Sequence, residues 1–126
     1  MDAWSDPFPK IEPTMEAALL TSFLPFWDRA FDETRGGFFT CWNNAGTELV
    51  SWDKYTWSQG RCLWIWSRAS DLARRRVFPA DSPALAAKAE QTYHFLSRHV
   101  FLENGDCAFL LTRNGEKKES IPGSGY

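Results

Sequence analysis

Apolar residues recur at helical spacing in three stretches of this chain, separated by short Gly-rich segments of alternating character. Leu19, Leu20, Phe23, Trp27, Ala30 and Phe31 step by three and four residues. This predicts a first helix, capped by Thr14 after a Pro-rich entry of Pro7, Pro9 and Pro13. Pro25 falls inside the pattern and predicts a kink, because its ring clashes with the carbonyl four residues back and it carries no N–H. A second helix is predicted from Trp57 to about Arg75. Its apolar residues Trp57, Leu63, Trp64, Ile65, Trp66, Ala69 and Leu72 spread around much of the circumference, the pattern of an inner helix enclosed by others. A third starts at Ser82-Pro83, with Ser82 as the cap and proline where no donor is needed, and runs to about Val100. Its stripe of Leu85, Ala89, Tyr93, Leu96 and Val100 opposes Lys88, Glu90, Gln91 and Arg98, so an outer, half-exposed helix is expected.

Between these helices the period changes. Phe38 to Trp42, Asn43-Asn44-Ala45-Gly46 and Thr47 to Val50 read as strand, turn and strand. Cys107 to Leu111 reads as a further strand, bounded by Asn104-Gly105 and by Asn114-Gly115, a dipeptide suited to tight hairpins. The two Gly-bounded stretches, Gly36 to Gly46 and Gly105 to Gly115, have equal length and lie 69 residues apart, each just after an outer-type helix. A helix-pair repeat of this kind buries its apolar faces against neighbouring units, so at least three are expected, whereas the chain holds about one and a half. It ends at Ile121-Pro122-Gly123-Ser124-Gly125-Tyr126, where the partner helix of the third should begin. Residues 1–126 are therefore expected to be an incomplete part of one larger domain.

Composition narrows the function classes. Seven Trp and ten Phe in 126 residues point to a lined cavity or a thick core. A formal charge of -2 supplies no basic field for a nucleic-acid backbone or an anionic membrane. The opening Met1-Asp2-Ala3-Trp4-Ser5-Asp6-Pro7 is acidic where a signal peptide is basic, and no long apolar run follows, so a soluble cytoplasmic protein is expected. Cys41, Cys62 and Cys107 are odd in number and widely spaced, which suits reduced, mostly buried thiols rather than disulfides or a metal clamp.

The densest polar and aromatic cluster is Asp53 to Arg61, at the start of the second helix. Trp57, Arg61 and Trp64 stand at i, i+4 and i+7 and share a face, placing a guanidinium between two indoles. Indoles cover the C–H faces of a sugar and a fixed cation binds its oxygens; packing of arginine on tryptophan explains the same pattern without a ligand. Gly60 costs about 1 kcal/mol relative to alanine in mid-helix, which indicates close approach of either a ligand or a neighbouring helix. His94 and His99 lie about 140° apart on a helix, so they do not form a metal pair, and His99 is expected to complement the carbonyl end of its helix. Asp71, Arg74, Arg75 and Arg76 read as a solvated helix end. No phosphate-loop, nucleophile-elbow, zinc-protease or dinucleotide fingerprint is present.

Gly36-Gly37-Phe38-Phe39-Thr40-Cys41, followed by Lys54-Tyr55-x-Trp57-x-Gln59-Gly60-Arg61-x-x-Trp64, resembles the N-terminal signature of the N-acylglucosamine 2-epimerase family. Cys107 to Gly115 resembles the N-acylglucosamine 2-epimerases themselves more than their cellobiose- or mannose-converting cousins, and the likeness runs from about Leu19 to Gly115. The resemblance implies an all-α fold, the N-terminal portion of an (α/α)6 toroid with short β-hairpins between helices. It implies C2 epimerisation of a sugar by deprotonation and reprotonation, with Arg61 catalytic and Trp57, Gln59 and Trp64 at the substrate. No cofactor or metal is implied, the partner is a small sugar, and a homodimer is one assembly open to the full-length protein. In the family two histidines on later inner helices transfer the proton; neither His94 nor His99 matches them, so this chain alone is expected to be nearly inactive. An aldose–ketose isomerase of the same superfamily and a non-catalytic helical remnant are the alternative readings.

Overall fold

The computed structural model describes residues 8–118; Pro7 and the Ile121–Tyr126 stretch lie outside the described residues. The first helical stretch comprises α1 (Phe8–Ala18), a π-helical turn (Leu19–Phe23) and α2 (Leu24–Arg29). It thus begins ahead of Thr14, with Pro13 inside α1. The expected disturbance at Pro25 takes the form of the π turn just before it, where the N–H of Leu24 reaches back to the carbonyl of Leu19. The wider turn accommodates a residue that cannot continue the α-type ladder.

Asp32 then turns the chain. Its N–H donates to the Gly37 carbonyl and its own carbonyl accepts from Gly36, each at 2.8 Å. Gly36 and Gly37 have φ of 80° and 81°, and a Cβ on either would fall 2.7 Å from an oxygen, of Gln91 and Gln59 respectively. Both positions therefore demand glycine. An isolated bridge joins Phe31 to Phe38, and β1 (Cys41–Trp42) pairs antiparallel with β2 (Leu49–Ser51) around a turn held by Asn43, whose Oδ1 accepts from the Thr47 N–H at 2.9 Å.

The chain continues through β3 (Lys54–Tyr55) into α3 (Thr56–Arg74), then α4 (Ser82–His99), β4 (Leu110–Leu111) and β5 (Lys117–Lys118). The order β3-β4-β5 is antiparallel throughout. The strand expected over residues 107–111 is thus shorter than its pattern, and β3 is a partner that the pattern did not reveal. The repeat is visible in the backbone: an isolated Phe101–Cys107 bridge precedes the second sheet as Phe31–Phe38 precedes the first. Among the described residues the fold is helical with two small sheets.

The main core gathers Phe31, Phe38, Trp66, Ala69, Ala73, Phe78, Leu85 and Ala89 between the first hairpin, α3 and α4. Phe38 stacks on Trp66 with centroids 5.4 Å apart. Ser70 and Ser82 tie the two long helices, each hydroxyl donating to the other's carbonyl, at 3.0 and 2.9 Å. Asp81, not Ser82, is the cap of α4, its Oδ1 accepting from the Ala84 N–H at 3.0 Å. The buried face of α4 is Leu85, Ala89, Thr92 and Phe95. Tyr93 is exposed, since the 3.6-residue period carries the stripe through 92 rather than 93. Among the described residues α3 is not enclosed either: Trp57 and Trp64 remain 58% and 68% exposed.

Candidate functional site

The exposed face of α3 carries Trp57, Gly60, Arg61 and Trp64, which with Ile65 line a groove of about 550 Å³. A second groove of about 520 Å³ runs between α3 and the first helical stretch, past Phe23, Trp27, Thr40 and Cys62. Trp57, Arg61 and Ile65 border both. The Arg61 guanidinium lies 4.0 Å from the centroid of the Trp57 ring. The expected sandwich is therefore half formed: Arg61 stacks on Trp57, while Trp64 lies one turn further along the same groove. Arg61 makes no ion pair among the described residues. An unneutralised cation on an aromatic plane suits the oxygens of a neutral or developing-anion ligand.

Gln59 is not on this face. It is fully buried, accepting from the Phe38 N–H and donating to the Phe38 carbonyl, both at 2.8 Å. Two residues from Trp57 on a helix is about 200° of rotation, which turns Gln59 inward. Its amide is spent on pinning the first hairpin to α3.

Behind the face lies a cluster that the sequence reading missed. Lys54, on β3 and fully buried, donates to Asp32 Oδ2 at 2.9 Å, to the Gly36 carbonyl at 2.7 Å and to the Arg113 carbonyl at 3.2 Å. Arg113 adds two bonds to Asp32, from Nε at 3.0 Å and Nη2 at 3.1 Å. The Asp32 Oδ1 also accepts from the backbone N–H groups of Thr34 and Arg35. Burial raises the Asp32 pKa, but Arg113, Lys54 and the Arg35 N–H outweigh it and hold the carboxyl at about 2. Burial in turn lowers the Lys54 pKa, against the pull of Asp32. The Lys54 ammonium sits over the Phe95 ring at 4.3 Å. One cluster thus joins the end of the first helical stretch, the start of α3 and the second hairpin.

The remaining candidates are structural. His99 packs at a tilt against Phe95, centroids 5.1 Å apart, and fills the space over Gly115. Burial, with Arg98, Lys117 and Lys54 nearby, lowers its pKa, which disfavours the cation that would complement the helix end. Asp71 is shared by Arg68, Arg74 and Arg75 at a solvated helix end. All three cysteines are free and half-buried, and burial pushes the Cys62 thiol up to about 11. Among the described residues no group of His, Cys, Asp and Glu could hold a metal ion, and no helix is long and apolar enough to cross a membrane.

No family model matches the chain. It is 35% identical over 99 residues to the N-acylglucosamine 2-epimerase of Rattus norvegicus, across 76% of this chain. The Homo sapiens protein of that name is 34% identical over 97 residues, again across 76%. The chain belongs to the N-acylglucosamine 2-epimerase family. It spans 22% of the length of these curated relatives. Cellobiose 2-epimerase from Spirochaeta thermophila DSM 6192 superposes with a TM-score of 0.72 at 22% identity, covering 94% of this chain and 28% of that one. A sugar epimerase from a ruminal bacterium gives 0.68 at 24%, covering 85% and 26%. These two likenesses carry the family's fold to the helices and hairpins described above.

Proposed function

We propose that this chain forms the N-terminal arc of an (α/α)6 sugar 2-epimerase that interconverts N-acylglucosamine and N-acylmannosamine. The observation that carries the reading is Arg61: a guanidinium stacked on Trp57 and without an ion pair among the described residues, on the open face of α3, in a chain related to N-acylglucosamine 2-epimerases. Removal of the C2 proton from the open-chain sugar puts negative charge on the carbonyl oxygen. A cation already fixed at that oxygen stabilises the 2-acylamino enolate more than the neutral aldehyde, and so lowers the barrier. Trp57 and Trp64 would cover the apolar face of the sugar.

Arg61, permanently charged, is no base. His94 and His99 do not line the groove, so the proton carriers of this reading are histidines contributed from outside residues 8–118. The test is a graft: the 99-residue stretch of the rat relative replaced by its counterpart here, with deuterium uptake at C2 of N-acetylmannosamine followed in heavy water. The graft should take up deuterium and its Arg61→Ala version should not; equal uptake by both would remove Arg61 from the mechanism.

A further inference from the structure

We propose that Gly60 is a specificity-determining position, a notch kept free of any side chain so that the acylamino group of a 2-acylamino sugar can lie against the backbone of α3. The inference rests on the reading of this face as the sugar site and extends it to the choice of substrate.

Glycine is among the poorest residues for a helix interior, so it persists where something needs it. The two usual reasons fail here. Gly36, Gly37, Gly46, Gly105 and Gly115 have φ between 67° and 92°, a conformation that other residues rarely adopt, but Gly60 is helical. Nor does close packing explain it: a Cβ built at Gly60 meets no atom within 4 Å among the described residues, whereas one at Gly36 or Gly37 collides. Among the described residues, what remains is the groove. Gly60 stands on the same stripe as Trp57, Arg61 and Trp64, where every other residue is large.

A hydroxyl at C2 needs no such depression. An acylamino group does, because it adds a planar amide and an alkyl end beside the reacting carbon. With the sugar C–H face on an indole and its carbonyl oxygen at the Arg61 guanidinium, the acylamino group on the neighbouring carbon takes the space over Gly60. An alanine methyl would occupy that space, and one methyl group misplaced in an apolar pocket changes discrimination by about 10-fold or more.

The test uses the 126-residue chain, with affinities for N-acetylmannosamine and mannose measured by saturation-transfer NMR. The original chain should prefer the acetylated sugar. Gly60→Ala should raise the melting temperature by about 4 °C, through helix propensity at an uncrowded site. The same change should weaken N-acetylmannosamine about 10-fold and leave mannose unchanged. Absence of the initial preference, equal effects on both sugars, or a lowered melting temperature would overturn the notch. Trp57→Ala, which removes an indole that covers the sugar face, separates the two ideas: it should weaken both sugars. If it does while Gly60→Ala is silent, the notch alone fails; if it does not, the underlying reading of the face fails.

Discussion

Replacing Lys54 by methionine tests whether the buried cluster holds the fold together. Methionine keeps an unbranched apolar stem of similar length over Phe95 and removes all three hydrogen bonds of the ammonium group. Gly36, itself buried, then loses a partner for its carbonyl. Breaking a buried ion pair by removing one member costs about 3–5 kcal/mol. Asp32 keeps both Arg113 bonds and its two backbone donors, so the lower end, about 3 kcal/mol, is expected. That is a large part of the about 5–15 kcal/mol of an ordinary domain, and corresponds to a melting temperature lower by about 12 °C or more. Urea unfolding followed by tryptophan fluorescence reads the change. In the Asp32→Leu, Lys54→Met double variant no buried charge is left unmatched, so the combined cost should fall below the sum of the single ones. A Lys54→Met chain within about 1 kcal/mol of the original would refute the reasoning, since that is the scale of an exposed pair.

Acid should act through the same cluster. A carboxyl at about 2 in the folded chain, against 3.8 ordinarily, contributes about 2 kcal/mol, fully present above pH 4 and lost as the pH falls towards 2; an unfolding free energy flat over that interval would contradict it. Gln59→Leu orphans the buried N–H and carbonyl of Phe38 and should cost about 3 kcal/mol by urea unfolding. A variant no less stable than the original would show that the clamp contributes little. The exposed Trp57, Trp64 and Ile65 should make the 126-residue chain self-associate, with Trp64→Glu reducing the effect; a clean monomer by light scattering at high concentration counts against this.

The helices were legible because their apolar residues recur locally. Both ends of α3 and α4 fall within a residue of the periodic pattern. The Gly-bounded hairpins were legible because the left-handed turns at Gly36, Gly37, Gly46, Gly105 and Gly115 need glycine. The Trp57–Arg61–Trp64 face followed from helical spacing alone, and the structure keeps these residues on one groove. What spacing could not reveal is pairing at a distance. Asp32 meets Lys54 across 22 residues and Arg113 across 81, and no local pattern encodes either contact. Gln59 was assigned to the substrate through its place in the family motif, although its rotation about the helix already set it apart from Trp57 and Arg61. The exposure of α3 likewise depends on what lies beside it rather than on its own residues.

The central claim is that Arg61 acts on charge that appears only as the C2 proton leaves. Steady-state kinetics of the grafted epimerase test it most directly, comparing Arg61 with Arg61→Ala on N-acetylmannosamine. The account predicts a kcat lower by about 10²–10³-fold with KM little changed, as for loss of a group aimed at a developing oxyanion. A rise in KM with kcat intact would contradict it and leave Arg61 as a residue that merely holds the sugar.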